Sequence, residues 1–145
     1  MYGKEVPVST LLKGVDKRVE KLWYDTKCTL KYEPKSSYSG RTSFFPNVIT
    51  LREADERVFR HELGHLLHAY GTWKGYKTEL DAVYKEERGS FKYFNKLYVC
   101  SSKEEFVAEG YALYELDRAN FKKKCPKLYA YIVKELNNIK ILFVM

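Results

Sequence analysis

The sequence predicts a single helix-rich α+β domain, and three observations support this class. The chain has 145 residues, of which 45% are hydrophobic and 31% charged, as suits one domain with a hydrophobic core. Apolar residues recur at helical spacing in several long segments, and two short segments resemble strands. No repeat, linker or low-complexity tract divides the chain. We therefore expect one domain over residues 1–145, with an N-terminal helix and strand at about 8–47 and a core at about 48–137.

The individual elements follow from periodicity, caps and breakers. Helices are predicted at 15–24, 54–70, 78–87, 102–117 and 127–137. Strands are predicted at 28–32 and 48–51. The segment 33–47 is rich in proline, serine and glycine and predicts a loop. The aromatic segment 91–99 is ambiguous between strand and turn, and the apolar tail 139–145 predicts a strand or a packed extension.

Composition argues against several classes of function. No apolar run is long enough to cross a membrane. The net charge is +7, but the basic residues are scattered and the densest run covers only 122–124, so nucleic-acid binding is not expected. The three cysteines are widely spaced and form no CxxC pair, which indicates neither a disulfide framework nor a cysteine zinc site. The N-terminus lacks the apolar region of a secretory signal, so we expect an intracellular protein, or a secreted one if this is a mature form.

The most informative motif is His-Glu-Leu-Gly-His at 61–65, within the predicted helix at 54–70. Residues four apart share a helix face, so His61 and His65 can direct both imidazoles at one metal ion. Glu62, beside the first histidine, is placed to take a proton from a metal-bound water. This combination of residues predicts a zinc-dependent hydrolase that uses one catalytic Zn²⁺ ion.

A catalytic zinc site needs a third protein ligand, and the helix at 102–117 offers one. Glu105 and Glu109 share a face of that helix, whereas Glu104 is rotated toward solvent. We assign Glu105 as the ligand and Glu109 as the acceptor that orients a ligating imidazole, with the swapped assignment left open. His68 is not expected to be a ligand, because one straight helix cannot wrap three ligands around an ion. Cys100 is expected to be a buried inert thiol rather than a metal neighbour.

These residues resemble a known family. Tyr98 precedes Glu105 by seven residues, and Glu-Phe-Val-Ala-Glu follows His-Glu-Leu-Gly-His by about forty. This arrangement resembles the protease domain of anthrax lethal factor and the related Pro-Pro endopeptidases, which are zinc metalloproteases of the zincin type. The likeness extends over roughly 48–136, through Tyr111, Leu113, Asp117 and the Cys-Pro-Lys-Leu-Tyr-Ala-Tyr-Ile stretch at 125–132. The N-terminal third does not share it.

The resemblance implies a zincin-like fold, with His61, His65 and Glu105 as zinc ligands and Glu62 as the base. It implies Tyr98 as the phenol that stabilises the oxyanion. It also places the strand at 48–51 where zincins have the edge strand that aligns the substrate. We therefore expect an extended peptide to bind along Val48, Ile49 and Thr50, under a loop that carries Tyr38, Arg41 and Phe44.

The sequence thus predicts a zinc endopeptidase that acts on a protein or peptide substrate. Two alternatives remain at this point. One is a non-catalytic binding module that contains zinc, although the retained Glu62 argues against a purely structural site. The other is an intracellular regulatory protease that cuts a single partner.

Overall fold

The computed structural model describes residues 5–94 and 101–139 of the chain. The helices within these ranges are α1 (Val8–Leu11), α2 (Lys17–Asp25), α3 (Glu56–Gly71), α4 (Tyr76–Glu87), α5 (Lys103–Leu116), α6 (Arg118–Lys124) and α7 (Pro126–Ile139). The strands are β1 (Thr29–Tyr32), β2 (Gly40–Ser43) and β3 (Val48–Leu51), and a 3₁₀ segment covers Arg88–Phe94. The fold is helix-rich with one small mixed sheet, which confirms the predicted α+β class.

The five predicted helices are all present, with ends that lie within two residues of the prediction. The sequence analysis missed α1 and α6, because helices of four and seven residues are too short to show a periodic pattern. Most of the segment 91–99 and the tail beyond Ile139 lie outside the described residues, as do Tyr98 and Cys100. Among the helices that the structure describes, none is both long and apolar enough to cross a bilayer.

The sheet has the strand order β1-β3-β2, and this order corrects two predictions. β3 pairs parallel with β1 and antiparallel with β2, so the segment 48–51 is the central strand and not an edge. The backbone groups of β3 are therefore committed to its neighbours, and a substrate strand cannot pair there. The segment 33–47, predicted as a loop, contains β2, which forms an edge of the sheet and contacts α3.

Helix α3 is the structural centre of the domain and packs mainly against α5 and α7. Its N-terminus is capped by Asp55, whose carboxylate accepts from the backbone N–H groups of Arg57 and Val58 at 2.9 and 3.0 Å. Its buried apolar side chains, Phe59, Leu63, Leu66 and Leu67, join the core. The opposite face of α3 carries His61 and His65 toward β2 and α5. Burial of the apolar face therefore determines where the polar face of the helix points.

The crossing of α3 and α5 depends on Gly64, because a Cβ there would lie 2.6 Å from both the Cα and the carbonyl oxygen of Ala108. These are backbone atoms, so α5 would have to move away from α3 to admit a methyl group. We expect Gly64→Ala to lower the free energy of unfolding by about 1–3 kcal/mol, measured by urea denaturation. Gly89→Ala is the matched control, since a Cβ at Gly89 meets nothing within 4 Å. An equal effect of both substitutions would contradict this packing.

Candidate metal centre

Two imidazoles from consecutive turns of α3 face the same space. His61 and His65 have ring centroids 5.3 Å apart at an interplanar angle of 73°. Both side chains are largely buried, with 12% and 18% of their surfaces exposed. The helical repeat alone brings them together, since residues four apart lie one above the other on one face.

Glu105 reaches the two histidines from the first turn of α5. Its Oε1 lies 2.9 Å from His61 Nε2, and its Oε2 lies 2.9 Å from His65 Nε2. Ser102 caps the start of α5, where its hydroxyl accepts from the Glu105 backbone N–H at 3.1 Å. A glutamate at this position commonly bonds back to the cap residue, but here its carboxylate binds the imidazoles instead.

The donor set of these three side chains fits a divalent metal ion. One ligand atom from each of His61, His65 and Glu105 can be chosen so that all lie within 4.8 Å of one another. Two imidazole nitrogens with one carboxylate oxygen are a ligand set that zinc uses in catalytic sites, where a fourth position stays open. The structure therefore brings together the three residues that the sequence analysis selected as ligands.

Glu109 binds the other nitrogen of His61. Its Oε1 lies 2.8 Å from His61 Nδ1, while its Oε2 accepts from the guanidinium of Arg57. The Glu109 side chain is only 1% exposed, so the arginine compensates a buried negative charge. Glu109 thus occupies the orienting position predicted for it, since it contacts one histidine from the side opposite Glu105.

The electrostatics of the cluster favour a positive charge at its centre. Burial disfavours the charged form of His61, but the hydrogen bonds with Glu105 and Glu109 outweigh it and raise its pKa to about 9. Since carboxylates only accept, both ring nitrogens of His61 act as donors and the ring is an imidazolium. Hydrogen bonds from His61 and His65 hold the pKa of Glu105 well below its usual range. Glu105 and Glu109 thus place two carboxylates around a single positive charge, which the His61 ring carries in this structure.

Glu62 points from α3 toward β2. The hydroxyl of Thr42 donates to Glu62 Oε1 at 2.7 Å, and burial raises the pKa of this carboxyl group. Gly40 makes the close approach of β2 possible, because a Cβ there would lie 2.6 Å from Val58 Cγ1 and 3.1 Å from Glu62 Cγ. The strand that sequence analysis missed therefore supplies the direct partner of the predicted base.

Two cavities open beside Glu62 and Glu105. The first, of about 220 Å³, extends toward Arg57 and Glu109. The second, of about 250 Å³, is bordered by His65 and by the β2 side, including Arg41, Thr42 and Phe44. Gly40, Glu62 and Glu105 line both cavities, so the polar cluster lies in the middle of an open cleft.

The remaining residues of the predicted substrate site divide between two places. Arg41 and Phe44 border the cleft beside His65. Tyr38, Val48 and Thr50 instead line a separate cavity of about 250 Å³ on the outer face of the sheet, which Arg41 also reaches. Ile49 is fully buried in the core, so it cannot contact a substrate.

His68 lies apart from the cluster of His61, His65 and Glu105. Its Nδ1 is 2.7 Å from Glu135 Oε2 on α7, and its ring packs edge-on against Tyr76. The Glu135 side chain is fully buried, so this pair joins α3 to α7. Tyr98, the predicted oxyanion partner, lies outside the described residues.

The cleft residues that sequence reasoning missed include Gly40, Thr42 and Arg57. Arg57 carried a usable signal, because it precedes His61 by four residues and so shares its helix face. Gly40 and Thr42 carried none, since a polar Gly-Arg-Thr-Ser segment has no apolar alternation.

Comparison with known proteins adds no relative to this picture. A scan against protein-family models, a search of curated proteins and a search of solved structures each gave no match. The class of protein that fold and cluster indicate therefore rests on the residues themselves.

Proposed function

We propose that this chain is a zinc-dependent endopeptidase with a zincin-like catalytic domain. The observation that carries the proposal is the convergence of His61, His65 and Glu105, from two helices, around a position beside Glu62. Each of these side chains has the chemistry that its role requires. The two imidazoles can lose a proton to bind the metal, Glu105 supplies an anionic ligand, and Glu62 supplies a buried carboxyl group. The resemblance to lethal factor and the Pro-Pro endopeptidases supports the same assignment.

Glu62 acts as the general base in this mechanism. Zinc, when bound, lowers the pKa of a coordinated water toward about 7 and polarises the scissile carbonyl. The Glu62 carboxylate accepts a proton from the attacking water and returns it to the leaving amine. Burial raises the pKa of Glu62, which brings it closer to the value that suits proton transfer near neutral pH. Thr42 holds one carboxylate oxygen, so the other is left to face the substrate.

His61 is oriented for metal binding by Glu109, and Arg57 in turn fixes Glu109. With Glu109 as the acceptor at Nδ1, Nε2 is the nitrogen that would bind the metal in place of the proton it shares with Glu105, and its basicity is increased. Following the family resemblance, Tyr98 supplies the hydroxyl that stabilises the oxyanion.

The substrate backbone is proposed to pair with the free edge of β2. The Arg52 N–H donates to the Ser39 carbonyl at 2.9 Å, which identifies 39 and 52 as a hydrogen-bonded pair of the antiparallel ladder. Hydrogen-bonded and non-hydrogen-bonded pairs alternate along an antiparallel ladder. Arg41 and Ser43 therefore direct their backbone N–H and C=O groups toward β3. The backbone groups of Gly40 and Thr42 point away from β3, toward the outer edge of the sheet. No strand within the described ranges pairs with that outer edge. An extended peptide bound there lies directly over Glu62.

The proposal is tested by incubating the zinc-loaded protein with a diverse peptide library and reading the products by mass spectrometry. We expect internal cuts that disappear when the metal is removed by a chelator and return when zinc is restored. A folded protein that binds zinc but cuts neither the library nor denatured proteins would support the non-catalytic binding module instead.

Zinc affinity is expected to rise with pH. The pKa of His61 is raised to about 9 in the metal-free protein, so at neutral pH the imidazole carries a proton that zinc must displace. Above that pKa zinc displaces no proton from His61, and the contribution of this residue to the pH dependence ends. We therefore expect the association constant to increase at least about tenfold per pH unit between pH 7 and 9, and to rise less steeply above that range.

This dependence is measurable by competition with a chromophoric chelator whose own proton binding is corrected at each pH. The same titration in buffers that differ in ionisation enthalpy should show at least about one proton released per zinc below pH 9. An affinity that is constant from pH 7 to 9 would contradict the assignment of His61 as a ligand in this environment.

A further inference from the structure

The two ends of the cleft differ in charge. At one end, the guanidinium of Arg57 is paired with buried Glu109. At the other end, Arg41 is exposed and lies over the ring of Tyr38 at 5.7 Å, and no carboxylate of the described residues forms an ion pair with it. Arg41 therefore offers a cation to a ligand beside the His65 end, on the outer face of β2, whereas the guanidinium at the Arg57 end is already paired.

The His65 end also presents aromatic surface. Phe44 directly follows β2, lines the cavity beside His65 and is 37% exposed. The next residue, Phe45, is 92% exposed and has a φ of +61°, a backbone conformation that is unfavourable for a non-glycine residue. Phe44 and Phe45 thus form a contiguous exposed aromatic patch directly after β2, a type of surface that suits contact with a partner.

The alternation of β2 separates these features onto two faces. Thr42 points inward to Glu62, and Phe44 lies on the same side and borders the cavity. Arg41 points to the outer face, where it shares a row with Thr50 and, on the far strand, Lys31. A strand that pairs with β2 adopts the same alternation, so its neighbouring side chains face these two sides in turn.

We propose that the substrate is recognised at the His65 end through two adjacent residues, one acidic and one apolar. The acidic side chain lies opposite Arg41 on the outer face, and its apolar neighbour points inward and packs on Phe44. This inference rests on the proposed peptidase function and defines its substrate class: polypeptide segments in which an acidic residue adjoins an apolar one. A basic residue at the first position is disfavoured because Arg41 lies directly opposite it, whereas Lys31 and Glu33 on the same face offset each other in charge.

Charge reversal at Arg41 tests the acidic position. We would compare two fluorogenic decapeptides built around a bond that the protein cuts in the peptide library. The two peptides differ at one position only, next to a leucine, which is Asp in one peptide and Lys in the other. We expect the wild-type protein to cut the Asp peptide with about fivefold higher kcat/KM, as suits a partly exposed cross-strand ion pair. Arg41→Glu should reverse this preference.

Lys31→Glu is the matched control, because it makes the same change of charge on the same face but two strands from the free edge. It should leave the Asp preference in place. If Lys31→Glu and Arg41→Glu shift the preference equally, the preference arises from the overall electrostatic field of the protein. The proposed contact between Arg41 and the acidic residue would then be wrong. Phe44→Ala should remove the selectivity for leucine over alanine at the inner position while retaining the preference for Asp.

A binding measurement separates failure of this inference from failure of the peptidase proposal. The affinities of the two labelled decapeptides for the Glu62→Ala protein are measured by fluorescence anisotropy, with and without zinc, so that no turnover is needed. Tighter binding of the Asp peptide that is lost in the Arg41→Glu, Glu62→Ala double variant supports the recognition site even without cleavage. Equal binding of both peptides to the Glu62→Ala protein overturns it, even if the enzyme is active.

Discussion

Replacement of Glu62 by glutamine is expected to lower the kcat of peptide hydrolysis about a thousandfold, the range typical for loss of a general base. Glutamine has nearly the same shape as glutamate and can still accept from Thr42, but it cannot take a proton from water. Since Glu62 is not a proposed ligand, we expect one zinc per chain to remain bound with little change in affinity. The measurement is the single-turnover rate on a library-derived peptide, together with metal content.

Glu53→Gln is the matched control, because it removes an exposed carboxylate that no cleft cavity includes. Its rate should equal that of the wild-type protein. A Glu62→Gln protein that keeps more than about a tenth of the wild-type rate would exclude Glu62 as the base. A Glu62→Gln protein that loses zinc would show instead that the carboxylate holds the metal.

Replacement of Glu105 by alanine is expected to weaken zinc binding by more than about a hundredfold, the upper range for loss of a residue that only orients a ligand. The reason is geometric: among the residues that the structure describes, Glu105 is the one carboxylate that contacts both His61 and His65, at 2.9 Å each. Without it, two imidazoles remain and zinc lacks a third protein ligand. The affinity is measured by chelator competition at fixed pH.

Two further glutamates on α5 make this experiment decisive. Glu104→Ala changes the exposed neighbour in the same turn and should leave the zinc affinity unchanged. Glu109→Gln removes a charge that lies against His61 Nδ1, and we expect a smaller loss, of about 10-fold to 100-fold. If the Glu109 variant loses more affinity than the Glu105 variant, the two glutamates have exchanged roles.

Much of the candidate centre could be predicted from the sequence because local rules determine it. The spacing of His61 and His65 depends only on the helical repeat. Ser102 marks the start of α5 by a capping pattern, and this places Glu105 in the first turn and Glu109 one turn later on the same face. The single buried carboxylate in an apolar run, at Glu109, required a partner, and the structure provides His61 and Arg57.

The parts that could not be predicted depend on contacts between distant segments. The Gly40–Ser43 strand has no apolar alternation, and it exists because β3 offers it a ladder and Gly40 lets it approach α3. The apolar segment at 48–51 predicts a strand correctly, but its central position follows from pairing on both sides, which local sequence does not specify. The edge proposed for the substrate is therefore β2, and the side chains expected on β3 lie in the core or on the outer face.

The proposed function depends most directly on which atoms hold the metal, and X-ray absorption at the zinc edge of the stoichiometrically loaded protein measures this. The account predicts a first shell of nitrogen and oxygen at about 2.0–2.1 Å, with the multiple-scattering signature of two imidazoles. In the Glu105→Ala protein, loaded with excess zinc, the imidazole signature should remain. The oxygen that Glu105 contributes to the first shell should be replaced by an oxygen of water. A sulfur shell at about 2.3 Å, or fewer than two imidazoles in the wild-type protein, would contradict the assignment of His61, His65 and Glu105 as the metal centre.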